Sequence, residues 1–299
     1  MPELPEVETV RRILEPQLAG RTVEAVEVRN AQIIAHPEAG RFAAQLQGQT
    51  LSSMSRRGKL LTLHFASGDR LSLHLRMTGQ LLVVPTGEPE EKHTHLILTL
   101  SGASQLRYLD VRRFGRFWLF KKGEEDALTG QAQLGPEPTD PALTAEYLKA
   151  KLGSRKKAIK EMLCDQTVVA GIGNIYSDEI LFASGVYPGA KCDALGDPDW
   201  ERLARVIPER IAWGIEADAM TPEEYLEKRG KDYRNTPFLR VYGHGGEPCP
   251  VCGELLCRMR IGGRSSTYCP VCQKASPADP QRTSEGAAYT RAFISPSSR

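Results

Sequence analysis

The amino-acid sequence predicts an α+β multidomain protein with a strand-rich N-terminal half, a helical second region and a short cysteine-bearing segment. Three observations support this expectation. Apolar residues alternate or form short runs between residues 23 and 120, and they recur at helical spacing between residues 144 and 229. Two Cys-x-x-Cys pairs then follow after residue 248.

The N-terminal region is predicted to begin with a helix and to continue as antiparallel strands. Apolar residues recur at helical spacing from Val7 to Leu14, and we expect Pro16 to end this helix. The segments that follow have a period of two or are short apolar runs separated by glycine turns, which is typical of a β-sandwich or barrel. The predicted strands are 23–28, 60–65, 71–75, 96–100, 106–111 and 117–120.

The second region is predicted to be helical, and it follows a proline-rich linker. Its predicted helices are 144–152, 155–163, 176–184, 199–218 and 222–229. The end of the chain is polar and rich in proline and serine without periodicity, so we expect it to be disordered. The predicted division is a domain at 1–133, a linker at 134–141, a domain at 142–237, a cysteine-bearing segment at 238–273 and a tail at 274–299.

The composition is that of an ordinary globular chain: 299 residues, 40% hydrophobic and 25% charged, are enough to bury a core. No run of about 18 apolar residues is present and the N-terminus is acidic, so we expect neither a membrane span nor a signal peptide. A cytoplasmic location follows as the expectation. Of the seven cysteines only Cys164, Cys192 and Cys257 lie outside the two pairs, which favours metal binding over a disulfide framework.

Basic residues are clustered, although the formal net charge is only +2. One such cluster is usually a solvated surface, but each of four clusters lies beside an aromatic residue, a glycine turn or a cysteine pair. This arrangement favours a surface that follows the phosphates of a nucleic acid. The clusters are Arg56, Arg57 and Lys59; Arg112, Arg113 and Arg116; Lys151, Arg155, Lys156, Lys157 and Lys160; and Arg258, Arg260 and Arg264.

The hexapeptide at residues 1–6 reads Met-Pro-Glu-Leu-Pro-Glu and has two interpretations. Removal of the methionine would leave the secondary amine of Pro2 at the terminus, with the carboxylates of Glu3 and Glu6 close by. An α-amino group has a pKa of roughly 7.7 to 8, and its attack on a sugar carbon would give an electron-withdrawing iminium ion. The same residues also make a good helix start, with Pro5 in the first turn.

The two cysteine pairs, Cys249 with Cys252 and Cys269 with Cys272, have the spacing of a four-cysteine zinc site. Four thiolates bind zinc tetrahedrally and leave no open position, so we expect one structural Zn2+ ion. Between the pairs a Gly-Gly turn would project Arg264 from a hairpin. A solvated hairpin tip is the alternative for that turn.

Three turns are further candidates for contact with a nucleic acid. The segment 171–174, Gly-Ile-Gly-Asn, lies between two predicted helices, and amides at a helix N-terminus bind phosphate, although Gly-x-Gly alone more often reflects helix packing. Met77 and Phe114 each follow a predicted strand within the segments 74–79 and 110–115. Such residues are usually core, but proteins that extrude a base also use them as wedges.

Taken in order, these motifs resemble those of bacterial formamidopyrimidine-DNA glycosylase, also called DNA-(apurinic or apyrimidinic site) lyase. The resemblance runs from residue 2 to about residue 273. It implies an N-terminal antiparallel β-sandwich flanked by helices, a helix-two-turn-helix domain and a C-terminal four-cysteine zinc ribbon. The matching segments are PELPEVET at 2–9, RGK at 57–59, RRFG at 112–115, GIGNIY at 171–176 and the cysteine pairs.

The resemblance implies a bifunctional DNA glycosylase and AP lyase of base excision repair. Its substrate would be double-stranded DNA with abasic sites or with oxidised purines, namely formamidopyrimidines and 8-oxoguanine. The enzyme would be a monomer in the bacterial cytoplasm, associated with the nucleoid when bound to DNA.

The resemblance also implies a role for particular residues. Pro2 would be the nucleophile at the sugar C1′ and Glu3 the proton donor, with Glu6 helping to place them. Lys59 and Arg264 would be the acids of β- and δ-elimination. The implied phosphate contacts are His74, His93, Arg112, Arg155, Lys160, Asn174 and Tyr242, and the side chains that would enter the vacated stack are Met77, Arg112 and Phe114.

One segment departs from the family pattern, because residues 218–234 lack the usual Gly-Gly-Ser/Thr start. The family resemblance places this segment over the damaged base, so we expect formamidopyrimidines to be excised at least as well as 8-oxoguanine. Two other functions stay open. One is an endonuclease VIII-like glycosylase for oxidised pyrimidines, against which Leu4 argues, and the other is a non-catalytic damaged-DNA-binding paralogue, against which the intact N-terminal motif argues.

Overall fold

The computed structural model describes residues 2–231 and 236–275. They form two compact units. One contains the described residues up to Leu134 and from Gly214 to Thr236, and the other contains Gly135–Trp213 and the described residues from Pro237 onward. Met1, residues 232–235 and the predicted tail from residue 276 onward lie outside the described residues.

Helix α1, Leu4–Leu18, opens the first unit, and Glu3 is its N-cap. The expectation that Pro16 ends this helix was wrong, because the helix continues for two more residues. Proline removes its own backbone hydrogen bond, but so close to the end it interrupts little else. The last turn closes through the amide of Ala19, which donates to the carbonyl of Glu15 over 2.9 Å.

The strands of the first unit are arranged in two sheets. Their bounds are β1 Val23–Val28, β2 Ile34–His36, β3 Leu51–Arg57, β4 Leu60–Phe65, β5 Arg70–His74, β6 Gly79–Pro85, β7 Thr94–Leu100, β8 Ser104–Asp110 and β9 Arg116–Phe120, with helix α2 at Ala39–Leu46. The sheet orders are β2-β9-β5-β4-β3 and β1-β7-β8-β6. Among these strands only β2 and β9 pair in parallel.

All six predicted strands are present, with ends within two residues of the expected ones. The sequence did not predict β2, β3, β6 or α2. Strand β3 lacks a strand-like pattern, because Leu51 and Met54 are its only apolar residues. It is held instead by its antiparallel pairing with β4 and by packing against α1.

The two sheets share one core, which confirms the β-sandwich. Leu73 of the five-stranded sheet and Leu81 of the four-stranded sheet line the same small interior void. Val10 and Leu14 of α1 belong to the same buried cluster, so the apolar face of the helix packs on the sandwich.

Two turns pass between the sheets at the same end of the sandwich. The turn at 75–78 leads from β5 to β6, and the turn at 111–115 leads from β8 to β9. His74 lies opposite Arg116 in one sheet, and Gly79 lies opposite Asp110 in the other. The strand register therefore places the two turns side by side.

Helix α7, Pro222–Glu227, belongs to the first unit although it follows the helical region in sequence. Thr221 caps it through a capping box with Glu224. Tyr225 is buried in the sandwich cluster, and its hydroxyl donates to the carbonyl of Leu81 over 3.1 Å. Met220 and Leu226 also pack against this cluster, so the segment is attached to the sandwich by several side chains.

The second unit contains helices and a hairpin. The bounds are α3 Ala145–Leu152, α4 Ile159–Leu163, α5 Asn174–Ser184, α6 Asp197–Ala217, β10 Cys257–Ile261 and β11 Arg264–Tyr268. Helix α6 continues into the first unit after Trp213. Among the described helices, none combines the length and apolar character that crossing a bilayer requires.

The predicted helix at 155–163 begins only at Ile159. Residues 155–158 pair with another segment of the unit instead: the amide of Cys192 donates to the carbonyl of Lys157, and that of Asp193 donates to the carbonyl of Arg155. A local sequence pattern does not reveal such a long-range pairing.

We expect Tyr225→Ala to lower the free energy of unfolding of the first unit by about 3 to 5 kcal/mol, as for other large aromatic side chains removed from a core. Tyr225→Phe is the matched control, and it should cost about 1 kcal/mol because only the hydrogen bond is lost. Urea unfolding measures both values. A Tyr225→Ala protein as stable as the parent would show that α7 is not part of the core.

Candidate active site

The start of α1 is buried from Pro2 to Val10. Glu3 and Glu6 form a capping box, and the amide of Glu3 donates to Oε2 of Glu6 over 2.7 Å. The side chains of Glu3 and Glu6 are only 1% and 3% exposed. The hexapeptide is thus both a well-formed helix start and a buried pair of carboxyl groups directly after Pro2.

Lys59 lies in the tight turn between β3 and β4 and is buried. The neighbouring Gly58 has φ +57°, a left-handed conformation that favours glycine. Leu60, the next residue, pairs with His74 of β5. The structure therefore brings Lys59 close to His74.

Glu8 and Arg56 connect the helix of Glu3 with the turn of Lys59. The carboxylate of Glu8 accepts a bond of 3.2 Å from Nε of Arg56, whose Nη1 donates to the carbonyl of Gly58 over 3.0 Å. Burial opposes ionisation of Glu8, but bonds from Arg11 and Arg12 and the charges of Arg11 and Arg56 outweigh it and lower its pKa to about 2. Sequence reasoning missed this link, because nothing in the local pattern pairs residue 8 with residue 56.

His74 is a neutral side chain. Burial, followed by the charges of Arg76 and Lys59, lowers its pKa to about 3. Its Nδ1 lies 3.0 Å from the amide of Arg76 and accepts that hydrogen bond, which leaves the proton on Nε2. His74 is therefore suited to donate an N–H bond to an anion without carrying a charge.

Met77, Arg112 and Phe114 form one contiguous group on the two turns between the sheets. The exposed fractions of Met77 and Phe114 are 44% and 46%, unusually high for large apolar residues. Nη1 of Arg112 lies 2.8 Å from Sδ of Met77, and its Cζ lies 4.6 Å from the ring centre of Phe114. We call these three residues the wedge, and their exposure argues against the core interpretation.

His93 lies before β7, in a left-handed conformation with φ +70°. Its carbonyl accepts the amide of Asp110 over 3.1 Å, which connects it to the turn of the wedge. Arg229 of the unusual segment pairs with Glu91 over 2.7 Å and with Glu88 over 4.0 Å. This segment is therefore tied to the loop that precedes His93.

In the second unit, Lys160 and Asn174 both contact Ser265, the residue after Arg264. Lys160 is 1% exposed; its Nζ lies 2.6 Å from Oδ1 of Asp178 and donates to the carbonyl of Ser265 over 2.9 Å. Nδ2 of Asn174 lies 3.5 Å from Oγ of Ser265. The ammonium of Lys160 is thus engaged within the protein, and its contact with a phosphate stays a prediction.

Arg264 is exposed at the tip of the hairpin, as the sequence predicts. Gly262 and Gly263 before it have φ +54° and +78°, so the turn requires glycine. A Cβ on Gly262 would lie 2.7 Å from Cγ of Glu161, which shows how closely α4 approaches this turn.

Arg155 is exposed before α4, and Tyr242 is half-buried in the second unit. The backbone amide of Tyr242 donates to Oε1 of the buried Glu179 over 3.0 Å, and the amides of Arg240 and Val241 donate to the same atom over 3.0 and 2.9 Å. Glu179 was missed by sequence reasoning; an acid inside the apolar helix α5 is the only signal it offers.

The four cysteines Cys249, Cys252, Cys269 and Cys272 converge, with sulfur atoms within 4.8 Å of one another. The Cys249–Cys272 and Cys252–Cys269 sulfur distances are 3.9 and 3.4 Å. A tetrahedral ion with bonds of about 2.3 Å requires sulfur atoms about 3.8 Å apart, so the cluster fits Zn2+. The cluster is a structural site for one zinc ion.

Family comparisons cover most of the chain. The Formamidopyrimidine-DNA glycosylase N-terminal domain matches residues 1–117, and the H2TH domain of the same family matches residues 134–225. Residues 246–275 match the zinc finger found in FPG and IleRS.

Whole-length relatives give the same result. The formamidopyrimidine-DNA glycosylases of Pelotomaculum thermopropionicum and Bacillus subtilis are 41% and 42% identical over 274 residues, which are 92% and 91% of this chain and 99% of each relative. A Lactococcus lactis Fpg complex with oxidised-pyrimidine DNA has a TM-score of 0.84 at 34% identity, covering 92% of this chain and 100% of that chain. A complex of the same enzyme with FAPY-dG DNA has a TM-score of 0.82 at 34% identity, covering 91% of this chain and 100% of that chain.

We expect the free energy of unfolding to decrease as the pH falls from about 5 to about 2, in part because Glu8 becomes protonated. The folded pKa of about 2 lies below the usual 4.5, so the unfolded chain binds more protons in this window and stability is lost as the pH falls. The shift corresponds to about 3 kcal/mol. Urea unfolding from pH 3 to 6 should show a shallower pH slope for Glu8→Gln.

Glu216→Gln is the matched control for this measurement. Glu216 lies 3.7 Å from Arg12 but its side chain is 77% exposed, so its removal should leave the pH slope unchanged. Equal slopes in the Glu8→Gln protein and the parent would contradict the assignment of Glu8.

Removal of zinc is expected to unfold the ribbon, because binding energy at such a site is largely folding energy. Cys269→Ser should therefore lower the zinc content and the DNA affinity together. Cys257→Ser is the control, since Cys257 lies on β10 outside the cluster. Elemental analysis and DNA titration measure the two quantities, and a zinc-free protein with full DNA affinity would overturn the structural assignment.

Proposed function

This chain belongs to the formamidopyrimidine-DNA glycosylase family, and we propose that it excises oxidised purines from double-stranded DNA through the amine of Pro2. It is a DNA glycosylase of base excision repair, and abasic-site lyase activity is the accompanying activity of the family. The observation that carries the proposal is the buried start of α1, where the carboxyl groups of Glu3 and Glu6 lie directly after Pro2. Its place of action is the bacterial cytoplasm, at the nucleoid.

In the first step the free amine of Pro2 attacks C1′ of the damaged nucleotide, and the bond from C1′ to the base breaks. The base leaves with the bonding electrons. The nitrogen then loses its proton, and Glu3 protonates the ring oxygen O4′, so the sugar opens to an iminium ion between Pro2 and C1′.

In the second step the iminium ion acidifies the hydrogens on C2′, and loss of one of them expels the phosphate on the 3′ side. Lys59 is assigned as the acid of this β-elimination and Arg264 as that of the δ-elimination, which releases the phosphate on the 5′ side. Zinc takes no part in these steps, since four thiolates fill its coordination sphere. The product is a one-nucleotide gap with phosphates at both ends.

DNA is held by both units in this proposal. In the first unit the contacts are His74, His93 and Arg112, and in the second they are Arg155, Lys160, Asn174 and Tyr242. The neutral His74 contributes a hydrogen bond rather than a charge, whereas Arg112 and Arg155 neutralise phosphates. The wedge residues Met77, Arg112 and Phe114 fill the space that the extruded nucleotide leaves.

The test of the nucleophile is a protein whose N-terminus is blocked. With a removable peptide ahead of Pro2 the nitrogen is an amide without a basic lone pair, so borohydride should trap no covalent adduct with abasic DNA. Cleavage that frees Pro2 should restore the adduct, and Glu3→Gln should bind DNA but release no base. A full-strength adduct from the blocked protein would refute the assignment of Pro2.

Excision of oxidised pyrimidines is a second candidate, because the Lactococcus lactis relative was crystallised with oxidised-pyrimidine DNA. Single-turnover excision of 8-oxoguanine, a formamidopyrimidine and an oxidised pyrimidine, each opposite its normal partner, separates the alternatives. The expected order places the two purine lesions first. A faster rate for the pyrimidine lesion would favour the second candidate.

A further inference from the structure

The two turns that carry the wedge are joined by one buried carboxylate, that of Asp110. Its Oδ1 accepts hydrogen bonds from Oγ1 of Thr78 and, over 3.1 Å, from the amide of Arg112. Its Oδ2 accepts the hydroxyl of Tyr108 over 3.0 Å and the amide of Gly115 over 2.9 Å. The bonds therefore reach one turn through Thr78 and the other through Arg112 and Gly115.

The backbone of Asp110 adds a third segment to this network. Its amide donates to the carbonyl of His93 over 3.1 Å, and its carbonyl lies 2.8 Å from Nε2 of His95. A residue at the end of β8 thus fixes both wedge turns and the start of β7 at once.

The backbone packs closely against Tyr108 at two glycines of this network. A Cβ on Gly115 would lie 1.7 Å from the hydroxyl of Tyr108, and a Cβ on Gly79 would lie 2.7 Å from the same atom. Arg76 and Arg113, one in each turn, have φ +57° and +58°. Such left-handed residues cost about 1 to 2 kcal/mol each, so the hydrogen bonds hold conformations that the isolated turns would not favour.

Two of the four donors are backbone N–H groups, which require an acceptor, whereas the hydroxyls of Thr78 and Tyr108 can donate or accept. A carboxylate offers two oxygens that accept only, whereas an asparagine replaces one of them with a donating NH2 group. In Asp110→Asn that NH2 group would face either the amide of Gly115 or the donors on the Oδ1 side. On the Oδ2 side it would leave the buried amide of Gly115 without its acceptor, and on the Oδ1 side it would leave the amide of Arg112 only its 3.2 Å bond to Oγ1 of Thr78.

We propose that Asp110 is a positioning residue for base extrusion: it holds Met77, Arg112 and Phe114 in their final arrangement before DNA binds. This inference rests on the proposed function. Preorganisation lowers the ordering cost of inserting these side chains into the base stack. Loss of Asp110 therefore weakens the extruded state but leaves the Pro2 amine and its acids intact.

The experiment compares two substrates that differ in their need for a wedge. Duplex DNA with one 8-oxoguanine requires extrusion, whereas a single strand with an abasic site has no stacked base to expel. Misplacement of groups by about 1 Å costs up to about 100-fold, so single-turnover excision from the duplex by Asp110→Asn should fall about 10- to 100-fold. Cleavage of the single strand should stay within about 2-fold of the parent.

Asp69→Asn is the matched control. Asp69 is a buried acid of the same sandwich that accepts 2.9 Å bonds from Lys121, the amide of Lys122 and Gln49. It precedes β5, whereas the turn of Met77 follows that strand, so the two acids serve opposite ends of it. Asp69→Asn should leave duplex excision within about 2-fold of the parent.

Each outcome decides the proposal. Duplex excision at the parent rate in Asp110→Asn overturns it, and so does an equal loss on both substrates, which would show general damage to the protein. Absence of duplex excision in the parent itself would refute the proposed function instead. Should Asp110→Asn fail to fold, Thr78→Val, which removes one bond to Oδ1, should show a smaller loss confined to the duplex; an unchanged rate overturns the proposal.

Discussion

The rest of the site depends on the burial of the first turn of α1. Residues near a chain terminus are usually poorly ordered unless something ties them down. Here the capping box between Glu3 and Glu6 satisfies amides that the helix start would leave without partners, and the apolar face of α1 packs into the sandwich. The nitrogen of Pro2, which we propose to be the nucleophile, therefore lies at the start of a helix that packs on the core, and no loop separates it from that helix.

Buried acids beneath basic surface segments recur through the molecule. Glu8 aligns Arg56 and the turn of Lys59, Asp110 joins the two wedge turns, and Asp178 holds Lys160 against the hairpin of Arg264. Glu179 does the same for the amides before and at Tyr242. Each acid accepts several hydrogen bonds from the segments around it. The basic segments proposed to contact DNA are thus held in place by buried acids.

Local patterns predicted the parts of the structure that local physics determines. Cysteine spacing identified the zinc cluster, and apolar runs identified six strands within two residues. Local patterns did not predict structure that depends on pairing with another segment. Strand β3 forms through its pairing with β4. Residues 155–158 lie outside α4 because they pair with the segment near Cys192. Asp110 offers no sequence signal of its role, because Thr78 of the other turn becomes its neighbour only when β6 pairs with β8.

The path of the chain between the two units constrains how such a protein changes over evolutionary time. Residues up to Leu134 form a sandwich whose core is completed by Tyr225, and that residue arrives only after the chain has built α6 in the other unit. A gene fragment that encoded only the residues up to 134 would lack Tyr225, and the carbonyl of Leu81 would lose its hydrogen-bond donor. Recombination near residue 134 would therefore separate the sandwich from a side chain of its own core.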